Sequence, residues 1–112
     1  MTRKIERQMI QAIIDKREHW ANSNTRVEYD TKENLSKVFL HGHRIGEYDH
    51  SSMGLALNNC GYETNTTKSR LNALINFVCD PTQNGIFQKN WNWFIKKNNK
   101  VEDFPSGAWY SI

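Results

Sequence analysis

Residues 25–58 read TRVEYDTKENLSKVFLHGHRIGEYDHSSMGLALN, and this stretch decides the fold. Thr25, Val27 and Tyr29 alternate with Arg26, Glu28 and Asp30, the period of two expected of a strand with one buried face. Thr31 to Asn34 is polar and makes a turn. Leu35 to His41 reads as a second strand, Gly42 as a reversal and Arg44 to Tyr48 as a third strand. After a loop from Asp49 to Met53, Gly54 to Asn58 makes a fourth. Connections this short join antiparallel neighbours, because a parallel crossover needs a dozen or more residues.

Outward from this meander the period changes. On the N-terminal side Ile5, Met9, Ala12, Ile13 and Trp20 recur at three-and-four spacing, which predicts a helix from about Thr2 to His19. Ile10 and Ile14 widen its apolar face, as expected of a helix pressed into a groove or of one sharing a stripe with a second copy in a homodimer. Ala21 to Asn24 reads as a stop and a loop. On the C-terminal side Leu71, Leu74, Ile75 and Val78 form one stripe, Asn65, Thr66 or Thr67 caps it, and Pro81 stops it, giving a second helix over about Thr67 to Cys79. Ile86 to Lys89 and Trp93 to Lys97 read as a hairpin, Asn98-Asn99 as a further turn before Val101 to Phe104, and Ala108 to Ile112 as a tail docked on the body. The expected architecture is α+β: an antiparallel sheet of four or more strands with two helices packed on one face, in the order α-β-β-β-β-α-β-β, as a single domain over residues 1–112.

Composition bounds what such a domain can do. The chain has 112 residues, room for one modest core. Only 38% of the residues are hydrophobic, but 5 Phe, 4 Trp and 4 Tyr supply large buried areas, so a folded globule is expected. The formal charge of +3 is too small to mark a nucleic-acid binder by itself. Charge runs through the first twenty residues and no stretch has the length of a membrane span, so a soluble, cytoplasmic protein with no membrane partner is expected. Cys60 and Cys79 lack CxxC spacing and read as reduced packing residues. Without a signal peptide, the acceptor motifs at Asn34 and Asn65 have no glycosylation to meet.

Chemistry-bearing motifs are few. No GxSxG, Gly-rich phosphate loop, HExxH or CxxC occurs, so the chain reads as not an enzyme and without a cofactor. His41, His43 and His50 are the ligands a small metal-dependent hydrolase would use if they converged, and that stands as a third reading. The stretch 65–74, NTTKSRLNAL, is more informative, because it sets Lys68 and Arg70 at a helix start, where the macrodipole favours acids. Free N–H groups there, the hydroxyls of Thr66, Thr67 and Ser69, and the two cations describe a site for phosphate, continued by the amide of Asn72 along the helix. Exposed cations that do nothing at a helix start would cost only a few tenths of a kcal/mol. Arg3, Lys4 and Arg7 would add to the cluster if the first helix began beside the second. A second patch, residues 88–97 (QKNWNWFIKK), interleaves rings with lysines. There Lys89, Trp91 and Lys96 fit the stacking and phosphate contacts that hold single-stranded nucleic acid, and equally a hot spot for a protein partner. The plainer reading sends Trp93 and Ile95 into the core and leaves Trp91 the exposed ring.

His41-Gly42-His43-Arg44-Ile45, then residues 66–74, then Ile86-Phe87-Gln88-Lys89-Asn90-Trp91 with Trp93-Phe94, together resemble a family of small, largely uncharacterised proteins of tailed bacteriophages. The resemblance runs from about Leu35 to Ile95 and implies a phage origin, with action inside the host on host machinery or on nucleic acid. A looser similarity of layout exists to the double-stranded-RNA-binding domain, whose second helix carries lysines onto phosphates. The fourth strand before the second helix and the two strands after it depart from that layout. The leading expectation is therefore a non-enzymatic phage module that binds DNA or RNA through the helix N-terminus and the aromatic patch. The alternative is an inhibitor of a host or defence enzyme.

Overall fold

The computed structural model describes residues 3–112. Helix α1 spans Lys4–Ile14 and is followed by strands β1 (Trp20–Asn22), β2 (Thr25–Asp30), β3 (Leu35–Leu40), β4 (His43–Asp49) and β5 (Gly54–Leu57). Helix α2 (Asn65–Val78) then leads to β6 (Gly85–Lys89), β7 (Asn92–Lys97), β8 (Lys100–Asp103) and β9 (Tyr110–Ser111). The α+β class and the order of its main elements are those the sequence predicts. One antiparallel sheet runs β1-β2-β3-β4-β5-β9, and a second, three-stranded sheet runs β6-β7-β8.

The meander pairs as its alternation dictates. Val27 faces Val38 and Thr25 faces Leu40 across β2 and β3, so one side of the sheet is turned inward, largely apolar but with Thr25 and Ser36 buried on it. Between β3 and β4 the register shifts: Val38 pairs with Gly46 and Phe39 with Arg44, which leaves Ile45 as the extra residue of a bulge. Ile45 and Gly46 are consequently both buried. His41 and Gly42 turn this hairpin with φ of 51° and 80°, a turn needing the left-handed region at both positions, which Gly42 enters without strain.

Both helices pack on that apolar side. Met9, Ala12 and Ile13 of α1 and Leu71, Leu74 and Ile75 of α2 join Val27, Val38, Leu55 and Leu57 in one buried cluster, which Ile86, Trp93, Ile95 and Phe104 extend beneath the second sheet. Asn72 fixes α2 to β6 by two bonds to one residue: its amide donates to the Ile86 carbonyl at 3.0 Å and its oxygen accepts from the Ile86 N–H at 2.7 Å. The tail docks as expected. β9 pairs with the edge strand β5, and the Tyr110 hydroxyl donates to Glu102 in β8, joining the two sheets. Burial and this carboxylate push the Tyr110 hydroxyl up to about 12.

Three boundaries differ from expectation. Helix α1 ends at Ile14, not His19, because Lys16 turns left-handed (φ 51°) and the N–H groups of Lys16 and Arg17 close back on the Ile13 and Ala12 carbonyls. This is a Schellman end made without glycine, so no glycine marks it in the sequence. Trp20 therefore leaves the helical face and pairs with Val27 in β1, a strand taken from the expected loop. Helix α2 begins two residues early because its cap is Thr64, whose Oγ1 accepts the Thr67 N–H at 3.1 Å; Asn65, Thr66 and Thr67 lie inside the helix. Thr2, the expected start of the first helix, lies outside the described residues.

Gly46 sits where α2 meets the sheet. A Cβ at this position would lie 2.7 Å from Leu74 Cδ1, below any van der Waals contact. Gly46→Ala should therefore lower stability by about 1–3 kcal/mol, as overpacking does, read as an earlier midpoint in urea. An unchanged midpoint would mean that α2 does not pack this closely.

Candidate binding surfaces

Most of the expected phosphate site at the start of α2 is taken up by partners inside the fold. Arg70 is 3% exposed, and its Nη1 lies 2.7 Å from Glu6 Oε2 of α1. Its Nε donates to Thr25 Oγ1 at 3.0 Å and its Nη2 to Asn24 Oδ1 at 3.3 Å. Arg70 is thus corrected from a phosphate ligand to an interior group. Ser69 donates to the same Glu6 oxygen at 2.6 Å, Thr67 is buried against Thr64, and Asn72 holds Ile86. None of these four presents its polar atoms to a ligand. The first turn of α1 does lie beside α2, but it delivers a carboxylate there, so the expected five-cation face does not form. Lys68 and Thr66 stay half-exposed at the helix start.

The charge pattern that looked wrong for a helix start has a tertiary cause. Arg70 sits on the face of α2 that meets α1, and Glu6 is its counterion across the interface. Burial would raise the Glu6 carboxyl, but hydrogen bonds from Ser69, Arg70 and the Arg3 N–H, together with the charge of Arg70, hold it below the usual value.

The aromatic patch opens outward as well as inward. Trp93 and Ile95 are buried, and alternation sends Phe94 and Lys96 to the other side of β7. Phe87 of β6 pairs with Phe94, and their rings stack with centroids 5.6 Å apart. A shallow cavity of about 440 Å³ opens beside Phe87, bounded by Lys96, Val101 and Pro81. Lys96 reaches across to donate to the Thr82 carbonyl at 3.1 Å, while Lys89 is exposed at the far end. Asp103 pairs with Phe94 from β8, so the face holds one acid beside its lysines. Phe87 and Phe94 were absent from the expected site, although the alternation that placed Trp93 and Ile95 inside also places Phe94 outside.

Trp91 stands at the tip of this sheet with 88% of its surface exposed. It and Asn90 form the two-residue turn between β6 and β7, with φ of 70° and 51°. A non-glycine residue held left-handed costs about 1–2 kcal/mol, and an exposed indole regains none of it by packing.

The histidines separate. His43 opens β4 and lies against Tyr62 with centroids 4.6 Å apart, whereas His50 follows the far end of β4 and holds Ser36 Oγ at 2.7 Å. Seven residues of extended chain put them on the order of 20 Å apart. Burial lowers the His50 pKa, with Lys16 adding to the effect and Asp49 opposing it. Among the described residues no group of three His, Cys, Asp or Glu side chains is placed to hold a metal ion. Cys60 and Cys79 are free thiols, each pushed up by burial. No helix of the described residues is long and apolar enough to cross a membrane.

Fold and surface together define a small α+β protein with an aromatic sheet face and an interior arginine. The chain belongs to the Kyanoviridae Gp96 protein family, a family of cyanophage proteins, whose model matches residues 2–111. No curated protein and no solved structure matches it.

Two outcomes follow from the buried pair. Arg70→Met leaves Glu6 buried without its counterion and should cost about 3–5 kcal/mol in urea unfolding. A loss below about 1 kcal/mol would place the pair in water. A carboxyl lowered in the folded state stabilises the protein above its ordinary value of 4.5 and ceases to do so as the pH falls through the lowered value. The stability gap between the native chain and Glu6→Gln should accordingly be widest near neutrality and narrow in acid. A gap independent of pH would contradict the charged pair.

Proposed function

We propose that the chain is a non-enzymatic phage module that binds single-stranded nucleic acid inside the host, using the outer face of β6-β7-β8 and the Trp91 tip. The observation that carries this reading is Trp91, an indole held out in water on a backbone conformation that disfavours it. Glycine would serve this turn without strain, so an exposed indole in its place points to use. Phe87 and Phe94 continue the aromatic surface inward from the tip, so bases have three rings to stack on. Lys89 and Lys96 supply cations on this face, which carries Asp103 as its acid. Lys68 and Thr66 lie outside this face and are not part of the proposal.

An inhibitor of a host or defence enzyme is the second reading, and the same ring favours it. A protruding tryptophan is also the side chain a protein partner's pocket most often accepts as an anchor.

Fluorescence titration with a short single-stranded oligonucleotide tests the proposal. Two to four phosphate contacts give a log–log salt slope of about −1.5 to −3. Trp91→Gly should stabilise the hairpin by about 1 kcal/mol, since glycine is at ease at this φ. It should also weaken oligonucleotide binding about 5- to 150-fold, the loss of one stacked base. Binding that ignores salt, or that survives Trp91→Gly unchanged, would overturn the proposal. Recovery of a stoichiometric host protein through Trp91 after nuclease treatment, with no oligonucleotide binding, would put the inhibitor in its place.

A further inference from the structure

A cavity of about 210 Å³ lies between the start of α2 and the β3–β4 hairpin, on surface the aromatic face does not include. Leu40 and Ile45 give it apolar walls, Thr66 borders it from the first turn of α2, and His43 and Tyr62 form a tilted ring pair at its side. Tyr62 is half-exposed, so a ring face is open there. The first turn of α2 contains no acidic residue. Thr64 caps only the Thr67 N–H, which leaves the N–H of Thr66, at the cavity wall, to serve an outside acceptor.

Asn59 supplies a separate indication. It lies in the cavity wall and is fully buried, at 0% exposure. Its oxygen is fixed by two backbone donors, Gly61 N–H at 2.9 Å and Gly107 N–H at 2.8 Å, which settles the orientation of the amide. The amide nitrogen then finds no acceptor among the described residues. A buried donor left unpaired costs about 1–3 kcal/mol, and a ligand acceptor reaching it would remove that cost.

We infer that this cavity binds a small phosphate monoester bearing a planar ring, of which a nucleoside monophosphate is the plainest member. The phosphate takes the Thr66 N–H and hydroxyl and the Asn59 amide. The ring lies against Tyr62 and His43. Glu63 is exposed, away from the cavity walls. The site is independent of the nucleic-acid face, so Trp91→Gly should leave it unaltered.

Adenosine 5′-monophosphate, adenosine and inorganic phosphate, each up to about 10 mM, titrated into the full chain and followed by amide NMR, test the assignment. The monophosphate should shift the Thr66 backbone amide and the Asn59 side-chain amide, with phosphate alone shifting the same groups more weakly. Thr66→Asp places a carboxylate where the helix dipole tolerates it, so the variant should fold and bind the monophosphate at least about tenfold more weakly. Asn59→Asp keeps the oxygen that holds Gly61 and Gly107 and removes the donor, with the same expected loss. Adenosine shifting these amides as strongly as its monophosphate would overturn the inference. So would the absence of any shift, or unchanged affinity in folded Thr66→Asp.

Discussion

The Glu6–Arg70 pair is the contact on which the rest of the arrangement depends. It joins α1 to α2 inside the molecule, and through Thr25 and Asn24 the same guanidinium reaches the start of β2. Ser69 and the Arg3 N–H complete the partners of the carboxylate. A buried pair of this kind adds little stability over apolar residues of the same size, but either member left alone is strongly unfavourable. Its role is therefore to fix how two helices sit on one sheet, a choice that an apolar stripe alone leaves loose. Asn72, two residues further along α2, extends the same logic on another face, where two hydrogen bonds to Ile86 set the position of the second sheet.

This use of Arg70 redirects the functional reading. Positive charge at the start of a helix resembles an anion site only while the charge is free. With Arg70 neutralised and Ser69, Thr67 and Asn72 bonded within the fold, the surface cation left in that motif is Lys68. What the structure leaves exposed is a different surface, three rings and several lysines on the β6-β7-β8 sheet, with the indole at its tip on a strained turn. The amide excess of the chain divides in the same way. Asn24, Asn59, Asn72 and Asn84 hold backbone or side-chain partners inside, while Asn90, Asn98 and Asn99 occupy left-handed turn positions that asparagine tolerates.

Short-range patterns were legible and long-range pairings were not. Alternation from Thr25 to Leu40 gave strands, faces and antiparallel order, since burial of one face fixes period and register together. The stripe of α2 and the stop at Pro81 were equally plain. The end of α1 was hidden because Lys16 takes a conformation usually given to glycine, and the Ile45 bulge was hidden because an extra residue breaks the alternation used to find it. In the candidate site, the exposure of Trp91 followed from its turn. The burial of Arg70 did not, because its counterion lies sixty-four positions away in sequence, and nothing local distinguishes an arginine facing a partner helix from one facing water. Asn59 lay in an unremarkable loop, and its significance depends on Gly107, forty-eight residues later.

The most direct measurement replaces the whole pair at once. Glu6→Met/Arg70→Met removes both charges and keeps the volume, so the chain should remain folded, as such apolar replacements generally permit. If Arg70 is only an interior tie, the double variant should bind a single-stranded oligonucleotide within about twofold of the native chain, a difference below about 0.5 kcal/mol. A folded double variant that had lost oligonucleotide binding would show that the arginine reaches the ligand, and would contradict the account.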